Sequence, residues 1–242
     1  MRCFEVIPEI TVSGGKTIMD GKEISCAHLA YELYLQGADG LLLNNVDKTR
    51  QGVADMFRAV SEVSNRVFLP LRVSGAIYET AQLRIYINDG ADRVYYNSNG
   101  IRCPQFIDDS VKRLGGHHVG VAVDCKRNSD MDIYQVYAQN GTVSVGKAAS
   151  LWINEVFQRG VQDVLINVLS DASTFEQDIR GFMNKLEKIK KPLFLRGGFD
   201  KPEQYISACN MGACGVVSTA LCSKNAVEQV KNALAKQNIN VR

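Results

Sequence analysis

The sequence repeats itself at about half its length. Pro70-Leu71-Arg72-Val73-Ser74-Gly75-Ala76 resembles Pro192-Leu193-Phe194-Leu195-Arg196-Gly197-Gly198, and Gly90-Ala91-Asp92-Arg93-Val94 resembles Gly212-Ala213-Cys214-Gly215-Val216. Gly75 and Gly197 are 122 positions apart, as are Gly90 and Gly212, and Gly37 and Gly160 are 123 apart. A shared offset near half of a 242-residue chain implies two similar halves that each fold the same way.

Within each half, short apolar runs rich in Val, Ile, Leu and Tyr alternate with amphipathic stretches. The runs are Phe4–Val12, Gly40–Val46, Val67–Val73, Arg93–Asn97, His118–Asp124, Val164–Leu169, Leu193–Arg196 and Gly215–Thr219. Near-continuous apolarity is the pattern of strands buried on both faces of a parallel sheet. Helices are expected at Cys26–Gln36, Gly52–Ser64, Thr80–Asn88, Pro104–Leu114, Ala148–Arg159, Phe175–Ile189, Pro202–Met211 and Asn225–Lys236. Pro104 and Pro202 suit first turns, and Gly37, Gly90, Gly160 and Gly212 stand where helices should stop. Eight strands alternating with eight helices mean an α/β fold, and the repeat favours two (βα)4 halves closed into a (β/α)8 TIM barrel over an open doubly wound sheet. The length of 242 residues is close to the ~250 of such a barrel. No linker or low-complexity tract interrupts it, so one domain over residues 1–242 is expected. The irregular stretch Lys126–Lys147, with Ile133-Tyr134-Gln135-Val136-Tyr137 and Asn140-Gly141, reads as a hairpin inserted after the fifth strand.

A net charge of +2, with dispersed Lys and Arg, gives no footprint for nucleic acid. No apolar run approaches the ~18 residues of a membrane helix, and the N-terminus lacks a signal-peptide pattern. Seven cysteines without a CxxC pair read as reduced thiols of a cytoplasmic protein. The three histidines have no ligand spacing with them, so neither a metal nor another cofactor is expected.

In a barrel of this kind the active site forms at the C-terminal strand ends. Two matching ends stand out: Ser74-Gly75-Ala76 after strand three and Arg196-Gly197-Gly198 after strand seven. Their neighbours are Asn97-Ser98-Asn99 after strand four and Ser218-Thr219-Ala220 after strand eight. Small residues let backbone N–H groups approach a ligand, hydroxyls and amides bind phosphate oxygens, and helix N-termini favour anions. The duplicated pattern predicts two phosphates at opposite edges of the mouth, with Ser74, Gly75, Ala76, Asn97, Ser98, Arg196, Gly197, Gly198, Ser218 and Thr219 as their cradle. The structural alternative is that the glycines merely make tight turns. Asp124 ends the fifth strand, where a carboxylate can act as general acid or base; the alternatives are a salt bridge to Lys126 or a capping role. Its counterpart after strand one is Thr11, which cannot carry a proton in the same way. Other polar strand ends are Asn44, Asn45 and Asp47, then Asn167, Ser170 and Asp171; Asp171 is the candidate second carboxylate.

These residues also carry a family resemblance. Ile7-Pro8 with Gly15-Lys16, Gly37-Ala38-Asp39, Pro70-Leu71 with Gly75, Gly90-Ala91-Asp92, Asn97-Ser98, Ala122-Val123-Asp124 with Lys126-Arg127, Gly197-Gly198, Pro202-Glu203 and the closing Asn238-Ile239-Asn240-Val241-Arg242 occur in order. Together they resemble the HisF-type cyclase subunits of imidazole glycerol phosphate synthase and, more distantly, the sister isomerase of histidine biosynthesis. The match is colinear over essentially the whole chain, with a shortened loop after strand one. The resemblance implies a half-barrel repeat and a bis-phosphorylated ribonucleotide substrate. It also implies ammonia from a HisH-type glutaminase on the N-terminal face, delivered through the barrel, and an aspartate pair at the ends of strands one and five.

The sequence departs from that pattern at identifiable positions. Asp124 matches the strand-five aspartate, but the strand-one position is Thr11. The loop lysine falls on Met19, the strand-two acid on Asn45 and the Asp-Gly-Thr motif on Ala172-Ser173-Thr174. A ring of four gate charges on the N-terminal face falls on Glu5, Gly40, Arg93 and Asp163. Losing one acid–base group removes a contribution of roughly 10²–10⁴-fold. Three readings stay open on sequence: a divergent cyclase subunit, a paralogue acting on another phosphorylated metabolite, and a non-catalytic phosphate-binding barrel.

Overall fold

The structure, a computed structural model, describes residues 3–19, 21–139 and 141–241. In chain order it holds β1 (Glu5–Val12), β2 (Lys16–Met19), β3 (Lys22–Ser25), α1 (Cys26–Leu35), β4 (Leu41–Asn45), α2 (Arg50–Ser64), β5 (Leu71–Ser74), α3 (Thr80–Asn88) and β6 (Arg93–Tyr96). There follow α4 (Ser98–Arg102), α5 (Gln105–Leu114), β7 (Val119–Asn128), β8 (Ile133–Ala138), β9 (Val143–Ala148), α6 (Ala149–Gln158), β10 (Asp163–Val168) and α7 (Phe175–Lys185). The chain finishes with β11 (Leu193–Arg196), α8 (Pro202–Asn210), β12 (Gly215–Ser218), a 3-10 turn over Thr219–Cys222 and α9 (Ala226–Lys236). β1, β4, β5, β6, β7, β10, β11 and β12 are parallel neighbours, and β12 pairs back onto β1, so the sheet closes into the expected eight-stranded barrel. No helix among the described residues is long and apolar enough to cross a membrane.

The repeat is visible in the hydrogen bonding as well as the topology. Gln82 Oε1 accepts from the amides of Tyr78 and Glu79, and Gln204 Oε1, 122 positions later, accepts from those of Asp200 and Lys201. Each glutamine folds back over the first turn of its helix and satisfies amides that the helix itself leaves unpaired. At the opposite end, the Gly-Ala-Asp turns anchor strand starts: Asp39 Oδ2 accepts from Val6 N at 2.9 Å, and Asp92 Oδ2 from Leu71 N at 2.8 Å.

Departures from the expected elements have local causes. The run from Val67 does not pair as a strand until Leu71; Pro70 has no N–H to give a ladder, and Phe68 is 93% exposed. β7 continues four residues past Asp124, because the inserted hairpin exists and β8 pairs antiparallel with its extension. Asn140, in the expected turn of that hairpin, lies outside the described residues. Between β1 and α1 the chain makes a second hairpin, β2 with β3, whose mostly exposed residues give no apolar pattern to read.

Strand register sorts the inward-facing side chains into levels. Ile7, Leu42, Tyr95, Ala122, Leu165, Phe194 and Val217 form a dry middle layer. Glu5, Arg72, Arg93 and Asp163 form the floor beneath it, at the N-terminal strand ends. The outward-facing side chains build the larger core under the helices.

Candidate functional site

The level above the middle layer is polar throughout. Alternation puts Glu9 of β1, Asn44 of β4, Ser74 of β5, Asp124 of β7, Asn167 of β10 and Arg196 of β11 there, with Asn97 just past β6. Asp124 sits between two amides: Asn97 Nδ2 donates to Oδ2 at 2.7 Å and Asn167 Nδ2 to Oδ1 at 3.0 Å. Burial raises its pKa above the usual carboxylate range, and the two amides and the charge of Arg196 only partly offset this. A carboxyl raised in this way, bonded by two amides and by no cation among the described residues, is suited to hold and release a proton.

Across the mouth lies a second carboxylate. Glu9 is 5% exposed, receives Arg196 Nε at 2.7 Å and Arg196 Nη2 on its other oxygen, and accepts from Asn44 Nδ2 at 3.0 Å. Ser74 Oγ donates to Asn44 Oδ1 at 2.9 Å, completing the chain of contacts. Arg196 therefore points into the mouth and is oriented by Glu9. The sequence reading did not find Glu9, which stands between Pro8 and Ile10 in an apolar strand.

The loops expected to hold phosphate ring this polar level. Gly75 has φ +86°, and a Cβ there would lie 2.0 Å from the Asn45 carbonyl oxygen; Gly197 has φ +137°. Gly198 and Thr219 are exposed, and Ala76 adopts φ 51°. Ser98 opens α4 and accepts from the amide of Gln139 at 3.2 Å, tying the inserted hairpin to the mouth. Ser218 is turned away: it is 1% exposed and donates to the Phe199 carbonyl at 3.0 Å. A cavity of about 630 Å³ opens beside the strand-seven loop, lined by Asn167, Ser170, Phe175, Gly197, Gly198 and Lys201 among others. That volume suits a small-molecule ligand.

Sequence comparison agrees with this architecture. The sequence profile described as "Histidine biosynthesis protein" matches residues 5–239. The chain belongs to this histidine biosynthesis protein family. It is 26% identical to the imidazole glycerol phosphate synthase subunit HisF of Helicobacter hepaticus over 245 residues, covering 98% of this chain and 97% of the relative. It is 28% identical to the subunit of the same name from Clostridium botulinum over 211 residues, covering 86% and 83%. The Exiguobacterium sibiricum subunit is 26% identical over 249 residues, with 98% of both chains covered.

For a member of the histidine biosynthesis family, the structure now locates each departure. Thr11 is exposed at the rim above Glu9, and Met19 is on β2. Asn45 and Asp47 shape the loop before α2, where Asn45 Oδ1 accepts from Asp47 N at 3.0 Å and Asp47 Oδ1 from Thr49 N at 2.9 Å. Asp171 and Ala172-Ser173-Thr174 are exposed in the loop after β10, where the Asp171 carbonyl accepts from Thr174 N at 3.0 Å. On the floor, Arg72 Nη2 pairs with Glu5 at 2.6 Å and its guanidinium lies 5.1 Å from the centre of the Phe194 ring. Arg93 pairs with Asp163, which is 3% exposed on its side chain. A Cβ on Gly40 would meet Arg72 Nη1 at 2.6 Å, so the glycine leaves the space that Arg72 fills.

Proposed function

We propose that the chain is a divergent HisF-type cyclase subunit that binds a bis-phosphorylated ribonucleotide across the barrel mouth, with Asp124 as its acid–base residue. The observation that carries this reading is Asp124 itself: inward-facing, clamped by two amides, raised in pKa, and flanked by the two matching glycine loops. The relatives are named as subunits of imidazole glycerol phosphate synthase, and the reaction type, an ammonia-dependent cleavage and ring closure, is what the family resemblance implies. Gly75 and Ala76 with Asn97 and Ser98 would hold one phosphate, and Gly197 and Gly198 with Thr219 the other. Of the predicted cradle, Ser218 would act through the loop it braces.

The test is turnover. Purified protein supplied with ammonium and the family's aminoimidazole carboxamide ribonucleotide intermediate should form imidazole glycerol phosphate, and Asp124→Asn should abolish it. Absence of product above background at high ammonium would overturn the cyclase assignment.

A second reading, a paralogue that acts on another phosphorylated metabolite, is favoured by one specific observation. The strand-one acid is replaced by Thr11 while a Glu9–Arg196 pair occupies the mouth. This reading keeps the phosphate loops and Asp124 and changes what lies between them. Binding of bisphosphates without cyclase turnover would select it.

A further inference from the structure

The inserted hairpin has two unlike faces. Along β8, Tyr134, Val136 and Ala138 are buried, and the first two join the core under the helices. Ile133, Gln135 and Tyr137 alternate with them and stay half-buried. In the antiparallel ladder Tyr137 is opposite Asp124, and Gln135 is opposite Lys126. Residues directly opposite one another point to the same face, with Cβ atoms about 4.5–5.5 Å apart. Asp124 faces the mouth, so the half-buried face of β8 is turned that way too, with Tyr137 beside Asp124. Lys126 Nζ lies 4.8 Å from the centre of the Tyr137 ring, which puts these two side chains on one side of the ladder.

This face is a braced wall. Tyr134 Oη donates to the Asp178 carbonyl at 2.7 Å, and its ring lies against Phe182 of α7 with centroids 4.7 Å apart. Lys185 of α7 pairs with Asp132 at 2.9 Å, at the turn between β7 and β8. On one flank the Gln139 amide donates to Ser98 Oγ. On the other, Gly141 sits so close to Leu169, just past β10, that a Cβ there would run into Leu169 Cδ1. The fifth barrel strand thus carries an aromatic ring above its carboxylate, held by contacts with the loops of strands four and six. In barrel order this strand stands between strands three and seven, which carry the two glycine loops. The core is served by the opposite face of β8, so packing does not require an aromatic side chain at 137.

We propose that Tyr137 is the platform on which a planar nitrogen heterocycle of the substrate stacks, with Lys126 as a positioning residue behind the ring. This rests on the ribonucleotide reading above and deepens it by naming what holds the aminoimidazole. A phosphate in each glycine loop fixes the ends of the ligand, and the wall between the loops presents a flat π-face to its middle. An aromatic ring offers two faces; Lys126 takes one and the heterocycle the other. The cation draws electron density from the ring, which favours an electron-rich heterocycle on the opposite face. Stacking there sets the heterocycle beside Asp124, the group that exchanges protons with it.

The simple aminoimidazole carboxamide ribonucleotide and ribose 5-phosphate share a phosphate and differ by the heterocycle. The ratio of their affinities for the full chain, measured calorimetrically, therefore isolates the ring. The ring-bearing compound should bind the unaltered protein more tightly, and Tyr137→Ala should cut the ratio about fivefold to hundredfold, the contribution of one stacked base. Tyr137→Phe keeps the ring, loses the hydroxyl and should leave the ratio unchanged, whereas Lys126→Met should lower it in part. The ratio is its own folding control, because both compounds need the same folded mouth. Proton NMR gives a second readout: the imidazole C2 proton should move upfield on binding to the unaltered protein and to Tyr137→Phe, but not to Tyr137→Ala. Equal affinities in the unaltered protein, or a ratio that survives Tyr137→Ala, overturn the inference and leave the phosphate reading standing. A ratio lost equally in Tyr137→Phe and Tyr137→Ala points to the hydroxyl and overturns the stack. Binding of neither compound overturns both readings, and a full ratio in Lys126→Met removes Lys126 from its positioning role.

Discussion

Replacing Arg93 by methionine tests whether the barrel floor is held by a buried ion pair. The substitution keeps most of the aliphatic stem and deletes the guanidinium that pairs with Asp163. The Asp163 side chain is 3% exposed, whereas that of Arg93 is 20% exposed, so the aspartate is the group left stranded. Breaking a buried pair from one side costs about 3–5 kcal/mol. Arg72 also acts on Asp163 and tempers the loss, which places the expectation near 3 kcal/mol, a fall in Tm of about 6–12 °C for a chain of this size. The Arg93 bond to the His117 carbonyl, 2.8 Å, is exposed, and water replaces it at little cost.

The pH dependence gives the sharper check. Burial raises the pKa of Asp163 above its unfolded value of 3.8, while Arg93 and Arg72 pull it down; removing Arg93 raises it further. A carboxyl whose folded pKa lies above its unfolded one binds more protons in the native state, so stability falls as pH rises through the folded value. The Arg93→Met deficit should therefore be largest at pH 8 and shrink toward pH 5. Urea unfolding followed by circular dichroism at several pH values measures it, and Arg93→Met/Asp163→Asn should recover most of the loss. A deficit below about 1 kcal/mol at pH 8, or one that does not change with pH, would refute the reasoning.

Two further outcomes are expected. Gly75→Ala should cost at least about 2 kcal/mol, since it adds a Cβ 2.0 Å from the Asn45 carbonyl to the strain of φ +86°; Gly212→Ala, at φ +88° in open space, should cost about 1 kcal/mol. Equal losses in thermal unfolding would show that the Asn45 contact yields freely. On the N-terminal face, Glu5, Gly40 and Asp163 should weaken or re-specify pairing with a standard HisH-type glutaminase, as read by analytical ultracentrifugation and glutaminase stimulation; tight, activating association would contradict this.

The barrel was legible because its strands are buried on both faces and its helices on one, so apolarity alone marks where each begins and ends. Leu41-Leu42-Leu43 and Val119–Val123 admit little else. The β2–β3 hairpin escaped because solvent on most of its surface removes any such pattern. Within the site, Asp124 could be found from its place at a strand end. Glu9, Arg72 and Arg196 acquire their meaning from contacts across the barrel, and the Glu9–Arg196 bond spans 187 positions of sequence. One signal was present in the strands: Glu5 and Glu9 share a parity with Ile7 in β1, so two acids face inward and require buried cations. Arg72 and Arg196 are the basic residues of β5 and β11 that meet this demand.

The placement of Glu9 two residues before Thr11 has a consequence for how such barrels can change. Side chains two apart on a strand point the same way and differ by about 6–7 Å along it. A barrel wall thus offers a ladder of rungs at graded depth, all addressing one shaft. Moving an acid from one rung to the next leaves the strand, its ladder bonds and the outer packing untouched. What shifts is how far a ligand must reach, so two barrels with superimposable frames can select molecules of different depth.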